Sequence, residues 1–273
     1  CNDPPTMLFT KGASSLSPQK VVAIIGTRNN TAYGAKVTEL LIEELSGMPN
    51  LAIVSGLAAG IDGIAHKAAL KNNIPTIGVL GHGHDLMYPA SHKKLANDML
   101  SQGAVISEYL PYTKPEITNF PMRNRIVAGM ADITIVVESK IKGGAIITAK
   151  LACGYNRTLG AVPGNIFDNV SKGCNQLLVD QLAIPITSGA DIINAMNWAK
   201  VPHKPKQTIL FEDVSEGESQ IIKLLKQDAS IHTDDLMLQL NMGYSQFANL
   251  LLQMELKGMI ESLPGKRIAI KNN

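Results

Sequence analysis

Two short apolar runs that end on glycine turns constrain this chain most. Val21-Val22-Ala23-Ile24-Ile25 runs into Gly26-Thr27-Arg28, and Leu51-Ala52-Ile53-Val54-Ser55 runs into Gly56, followed by Leu57-Ala58-Ala59-Gly60-Ile61-Asp62-Gly63. A strand covered on both faces reads as an unbroken apolar run and belongs to a parallel sheet. Glycine at its carboxyl end lets backbone N–H groups and the next helix N-terminus approach an anion without a Cβ in the way. Both turns therefore read as phosphate cradles, and Arg28 adds a permanent cation at the first. The plain alternative is that they are only tight strand-to-helix turns. After Gly26 the next glycine is Gly34, which is not G-x-G-x-x-G spacing, so no redox cofactor is expected.

Four more runs read as buried strands: Thr76–Leu80, Ala104–Ser107, Ile133–Val137 and Thr158–Val162. Helical patterns lie between most of them. Ala35–Leu45 sets Val37, Leu40, Leu41 and Leu45 on one stripe, and Ile61–Leu70 does the same with Ile61, Ile64, Ala65 and Ala68. Such alternation predicts an α/β fold with an extended Rossmann-like, doubly wound, mostly parallel sheet, whose ligands sit beyond the strand C-termini. A chain of 273 residues has room for this core and a small second domain.

The second domain is expected after Val201-Pro202-His203-Lys204-Pro205-Lys206, a proline-rich basic linker. Boundaries of 1–200, a linker at 201–214 and a final domain at 215–273 follow. Glu216–Gln227, Thr233–Leu240 and Tyr244–Lys257 read as helices, with Asn241-Met242-Gly243 turning the chain between the last two. Two short strands around Pro264-Gly265 complete a winged-helix outline. Residues 1–204 carry 18 Lys and Arg against 14 Asp and Glu, a net of +4, whereas residues 205–273 carry 7 against 9, a net of −2. The positive excess permits a polyanion ligand for the first part without demanding one.

Three cysteines, Cys1, Cys153 and Cys174, lack C-x-x-C spacing, which argues against a disulfide framework and a zinc ribbon and fits a reducing cytosol. No apolar run is long enough to span a bilayer, so no membrane role is expected. The chain begins at Cys1 without an initiator Met, so a preceding segment is expected.

The most unusual segment is Phe120-Pro121-Met122-Arg123-Asn124-Arg125-Ile126, read as lying just before a helix-like run. On a turn or helix N-terminus, Arg123 and Arg125 could each clamp a phosphate, with Asn124 positioning the loop. Alternatively they pair with Glu108 or Glu138 in a structural network. Lys142-Gly143-Gly144-Ala145-Ile146-Ile147-Thr148 opens a helix whose free N–H groups would attract an anion. Val162-Pro163-Gly164-Asn165 repeats the theme as a further wall of the rim. Asp62 and His66 share a helix face, and an early-helix Asp bonded by the histidine is favoured over an acid–base pair. The loop His82-Gly83-His84-Asp85, with His92 nearby, lacks typical ligand spacing, so no metal is expected. No Ser/His/Asp or Cys/His nucleophile can be placed, and no catalytic residue is assigned.

Taken in order, these segments resemble the bacterial DNA-processing protein A family, DprA or Smf. The resemblance runs through Asp3-Pro4-Pro5, Ile25-Gly26-Thr27-Arg28, Ser55-Gly56-Leu57-Ala58, Gly60-Ile61-Asp62, Tyr88-Pro89, Ser107-Glu108-Tyr109, Phe120-Pro121 with Arg123-Asn124-Arg125, Ile147-Thr148-Ala149 and Val162-Pro163-Gly164. It implies a cytosolic, non-enzymatic protein that grips and protects single-stranded DNA, helps load the RecA recombinase in natural transformation, and dimerises through its Rossmann-like domain. Carried onto this chain, Arg28, Lys67, Arg123, Arg125 and Lys150 become candidate phosphate contacts. Gly26, Thr27, Ser55, Gly56, Asn124, Gly143, Gly144 and Thr148 stand close by as DNA- or phosphate-binding positions. Gly143 departs from the family pattern, which has serine there.

Two rival functions remain. A Rossmann-like nucleotide phosphoribohydrolase would use P-G-G-x-G-T-x-x-E, but the segment at Gly143 lacks the proline and third glycine, and no carboxylate follows Gly144 before Asp168. A transcription factor would need cations on Tyr244–Lys257, where they are few. The final domain is therefore expected to bind a partner or to give weak auxiliary DNA contacts.

Overall fold

Strand β2 (Lys20–Ile25) shows why its apolar run is unbroken. Val21, Ala23 and Ile25 belong to one hydrophobic core, while Val22 and Ile24 belong to another on the opposite side, as the two-residue side-chain period requires. The structure, a computed structural model, describes residues 1–12, 18–198, 215–225, 231–240, 242–257, 259–263 and 265–270. It divides into two units, Cys1–Pro202 and His203–Asn273. The linker expected at 201–214 lies outside the described residues.

In the first unit the other strands are β1 (Phe9–Gly12), β3 (Leu51–Ser55), β4 (Thr76–Leu80), β5 (Ala104–Ser107), β6 (Ile133–Val136), β7 (Thr158–Ala161) and β8 (Ile184–Pro185). They form one sheet in the order β1-β5-β4-β3-β2-β6-β7-β8. All neighbours are parallel except β1, which pairs antiparallel with β5 in the register Phe9 with Ser107. The six strands expected from their apolar runs are present. The edge strands β1 and β8 were not expected, and their mostly exposed side chains explain it: an edge has no second covered face to encode.

The helices are α1 (Ala32–Leu45), α2 (Ile61–Lys71), α3 (Lys93–Met99), α4 (Asn119–Met130), α5 (Gly144–Gly154), α6 (Lys172–Val179) and α7 (Gly189–Ala195). The buried stripe of α1 is Thr38, Leu41, Ile42 and Leu45, and Leu40 is exposed, so the expected stripe is rotated toward Ile42. Strand order reverses at β2, which lies between β3 and β6. Their carboxyl ends therefore open a crevice at the topological switch point.

The second unit has α8 (Glu216–Leu225), β9 (Ile231–His232), α9 (Thr233–Leu240), α10 (Tyr244–Leu256), β10 (Ile260–Leu263) and β11 (Arg267–Ile270). Its antiparallel sheet runs β10-β11-β9, and Ile221, Leu225, Leu236, Phe247, Met254 and Ile268 fill the core. This is a winged helix, with β9 added to the expected outline. Glu218, buried, accepts from Lys257 Nζ at 2.9 Å and from Ser215 N at 2.8 Å.

Candidate nucleic-acid interface

The crevice at the switch point is an open cleft of about 590 Å³, within the size range of ligand sites. Gly26, Gly56, Asp62 and Arg123 form its floor. Arg28, Phe120 and Tyr88 stand on one side, and Lys140, Gly143, Gly144 and Thr148 on the other. Thr27 and Asn124 line it as well.

Its floor holds two buried groups of opposite charge that share one partner, Gly56. Asp62 and Arg123 are both buried, and Asp62 Oδ2 accepts from Gly56 N at 3.0 Å. Arg123 Nη1 donates to the carbonyls of Gly56 and Val79, and Nε to Asn124 Oδ1 at 3.2 Å. Burial pushes the Asp62 carboxyl upward, and the Arg123 charge opposes the shift. Burial pulls the Arg123 guanidinium down to about 10, with Asp62 acting against it, so Arg123 stays charged near neutrality. Both arginines lie inside α4 rather than ahead of it. Arg123 ties the ends of β3 and β4 to that helix and spends Nη1 and Nε on the protein.

The two glycine turns are also occupied from within. Thr27 N donates to Glu138 O at 2.8 Å, and Thr27 O accepts from Ile61 N at 3.2 Å. Buried Glu138 takes Thr31 N at 2.9 Å and the Thr31 hydroxyl, placing a carboxylate at the positive end of α1. A Cβ at Gly26 would come within 2.5 Å of Ile61 Cγ1, and one at Gly60, where φ is +80°, would overlap Thr27 O. These glycines serve close packing of α2 against the turn after β2. At the expected cradle, the N–H groups of Thr27 and Gly56 already have partners within the protein.

An anion finds free donors elsewhere. Gly143 caps α5 without a side-chain hydrogen bond, and Ile146 N donates to Gly143 O at 3.1 Å, leaving the N–H groups of Gly144 and Ala145 at the cleft. A Cβ at Gly144 would meet nothing within 4 Å. Thr148 is 3% exposed and lines the cleft, and its hydroxyl makes no hydrogen bond among the described residues. The space that a Cβ at Gly143 would enter holds Ser139 Oγ, so a hydroxyl stands near where the family pattern carries one on residue 143. Lys140 and Arg28 are exposed. Arg28 Cζ lies 5.3 Å from the Phe120 ring centroid, and Phe120 and Tyr88 rings lie 5.6 Å apart at 38°. A guanidinium held over a ring keeps its edge available to a phosphate.

Four sequence candidates do not line the cleft. Ser55 is fully buried and donates to Ile24 O at 2.6 Å. Arg125 pairs with Glu108 and donates to Asp3 O at 2.9 Å, as the structural-network alternative expected. Lys67 and Lys150 are exposed on α2 and α5. Gly164 and Asn165 do not line it either, and Pro163 O accepts from Tyr33 OH at 2.7 Å. Lys140, Phe120 and Tyr88 were not assigned as site residues, although Phe120 and Tyr88 sit in motifs quoted above. The meeting of Phe120 and Tyr88 with Arg28 joins three segments that share no periodicity.

Three histidines, His66, His82 and His92, are held by bonds within the protein. His66 bonds Thr76 Oγ1 at 2.7 Å rather than Asp62, and Thr76 gives its own proton to Ile53 O at 3.2 Å, so His66 Nδ1 is the donor. Burial, then His92 and Arg123, push His66 down to about 3. His82 accepts from Tyr88 N at 3.2 Å, and His92 Nδ1 lies 3.0 Å from Leu57 O. Among the described residues no three His, Cys, Asp or Glu side chains gather as a metal site, and no helix is long and apolar enough to cross a membrane.

With that geometry in place, comparison with known proteins is informative. Residues 1–197 match the family described as DNA recombination-mediator protein A, and residues 205–266 match the DprA winged helix domain. DNA processing protein DprA of Bacillus subtilis is 43% identical over 195 residues, 71% of this chain and 65% of that protein. The chain thus spans about two thirds of that relative's length. The X-ray structure of DNA processing protein A from Streptococcus pneumoniae superposes with a TM-score of 0.66 at 42% identity, covering 70% of this chain and 66% of that one. DNA processing protein A from Helicobacter pylori, whose structure concerns its single-stranded DNA binding mode, gives 0.66 at 33% identity, covering 72% and 90%.

Proposed function

The chain belongs to the DNA recombination-mediator protein A family, and from that premise we propose that it binds single-stranded DNA in the cleft at the switch point. The observation that carries this is Arg28 stacked on Phe120 beside Tyr88, across from the uncapped start of α5. One wall offers ring faces for bases, and the other offers N–H groups, the Thr148 hydroxyl and Lys140 for phosphates. A duplex hides its base faces, so the aromatic wall favours a single strand. The similarity to the Helicobacter pylori protein, studied for its single-stranded DNA binding, supports the same ligand.

Binding of a fluorescent oligothymidine and of a matched duplex, each across a salt series, tests this. Tighter single-strand binding that weakens with salt is expected. Preference for duplex, or salt-independent binding, would overturn it. Release of free base from nucleoside monophosphates would instead establish the phosphoribohydrolase alternative, for which the engaged Asp62 is a poor general acid or base.

In this reading the protein works without catalytic turnover in the cytoplasm, protecting incoming strands and helping load RecA during transformation. It does so as a homodimer, supported by Val179, Leu182 and Ile184, which lie exposed on and beside α6 and β8. The winged helix acts as a partner-binding or auxiliary module, since its α10 holds no Lys or Arg. Sedimentation of wild type and Leu182→Asp, and co-purification with RecA-coated strands, test these two parts.

A further inference from the structure

We propose that Tyr112 extends the single-strand track beyond the cleft as a separate base-stacking platform; this rests on the reading that the cleft binds single-stranded DNA. Tyr112 is 83% exposed and holds φ at +67°, a region a bulky aromatic avoids. Its side chain makes no hydrogen bond or ring contact among the described residues, so it returns little to the fold for a conformation that glycine would adopt without strain. A strained backbone that displays a ring to solvent points to a use for the ring.

The backbone beneath it is built to hold that display. Both carboxylate oxygens of Asp85 accept from Tyr112 N at 2.8 Å, and Gly83 N donates to Thr113 O at 3.0 Å. A Cβ at Gly83 would come within 2.6 Å of Leu110 O. The clamp belongs to the loop that supplies Tyr88 to the cleft wall, and Tyr88 N is itself bonded to His82. On the other side, Ile117 carries the chain from Tyr112 back to the cleft, where it and Phe120 are both lining residues. The ring is therefore continuous with the aromatic wall through two short segments, and Lys114 beside it is an exposed cation. A strand leaving past Tyr88 meets Tyr112 next, and stacking on an exposed ring suits any base.

Oligothymidines of about 4 and about 15 nucleotides, lengths spanning the usual site sizes of single-strand binders, test this against wild type, Tyr112→Ala and Tyr112→Phe. Tyr112→Ala should weaken binding of the longer strand by about fivefold or more, in the range of one lost base–aromatic stack, and leave the shorter one unchanged. Tyr112→Phe should match wild type on both. Equal binding of the longer strand by Tyr112→Ala would overturn the proposal and leave the ring to a protein partner. An equal loss on both lengths, or a loss by Tyr112→Phe, would overturn it too. If wild type binds neither strand, the cleft reading itself fails, which is a different outcome from all of these.

Discussion

Asp62 and Arg123 grip the same residue from its two ends: Gly56 gives its N–H to the carboxylate and receives the guanidinium at its carbonyl. A Cβ at Gly56 would lie 2.7 Å from Arg123 Nη2 and 2.8 Å from Asp62 Oδ2. The glycine is there so that this pair can close over the end of β3.

Breaking the pair should cost stability before it costs binding. Arg123→Met leaves the Gly56 and Val79 carbonyls without their buried donor and removes the charge that opposes the Asp62 burial shift, at a cost of about 3 kcal/mol. The double variant with Asp62→Asn should be less destabilised than the two single losses summed, because they share one interaction. Urea denaturation of the four proteins measures this, and additive losses would contradict it.

Arg28 and Arg125 should separate cleanly in a salt titration. Arg28→Gln removes an exposed cation from the cleft and should weaken single-strand binding while making the log–log salt slope shallower by about 0.7. Arg125→Gln breaks the Glu108 pair outside the cleft, so it should leave the slope alone. Equal slope changes in both variants would return Arg125 to the DNA path.

Gly34 and Gly144 make a matched steric test. A methyl at residue 34 would overlap the Glu138 carboxylate, pushing it off Thr31 inside the protein, so Gly34→Ala should cost about 2 kcal/mol. Gly144→Ala meets open space and should be neutral within about 0.5 kcal/mol. Thermal melts of both variants check this, and equal melting temperatures would count against the Glu138 plug.

His66 should make the fold acid-sensitive. Its folded value is pushed down to about 3 against an ordinary 6.5, so below 6.5 only the unfolded chain takes up the proton. Its contribution is full above pH 6.5 and is lost as pH falls toward 3, at a slope approaching about 1.4 kcal/mol per pH unit. Chemical denaturation at several pH values should show a flatter profile for His66→Gln. Parallel profiles would rule the histidine out as the source.

What could be read in the residues depended on whether the signal was local. Buried strands such as Ile133–Val136 announce themselves because both faces need apolar side chains, and the α10 stripe does so by its period. Strand β1 escaped because its faces are exposed. Among the residues that line the cleft, Arg28 and the Gly143-Gly144 pair were legible from turn chemistry, and Thr148 from the family resemblance. The engagement of Thr27 was not, because its partner Glu138 arrives from another segment, and that of Gly56 was not, because only the fold of the turn brings Asp62 back onto its N–H. Arg123 and Arg125 look alike in sequence, and only the packing of α4 sends one to the cleft floor and the other to Glu108.

The carboxylate of Glu138 at the start of α1 amounts to a resident anion. A ligand phosphate draws affinity from such a helix start, and at α1 that seat is taken, whereas the start of α5 stays open. A strand spreads its charge over several nucleotides and can use Arg28, Lys140 and α5 instead. In the proposed reading, the ligand's phosphates are thereby turned away from α1 and toward the exposed cations and the start of α5.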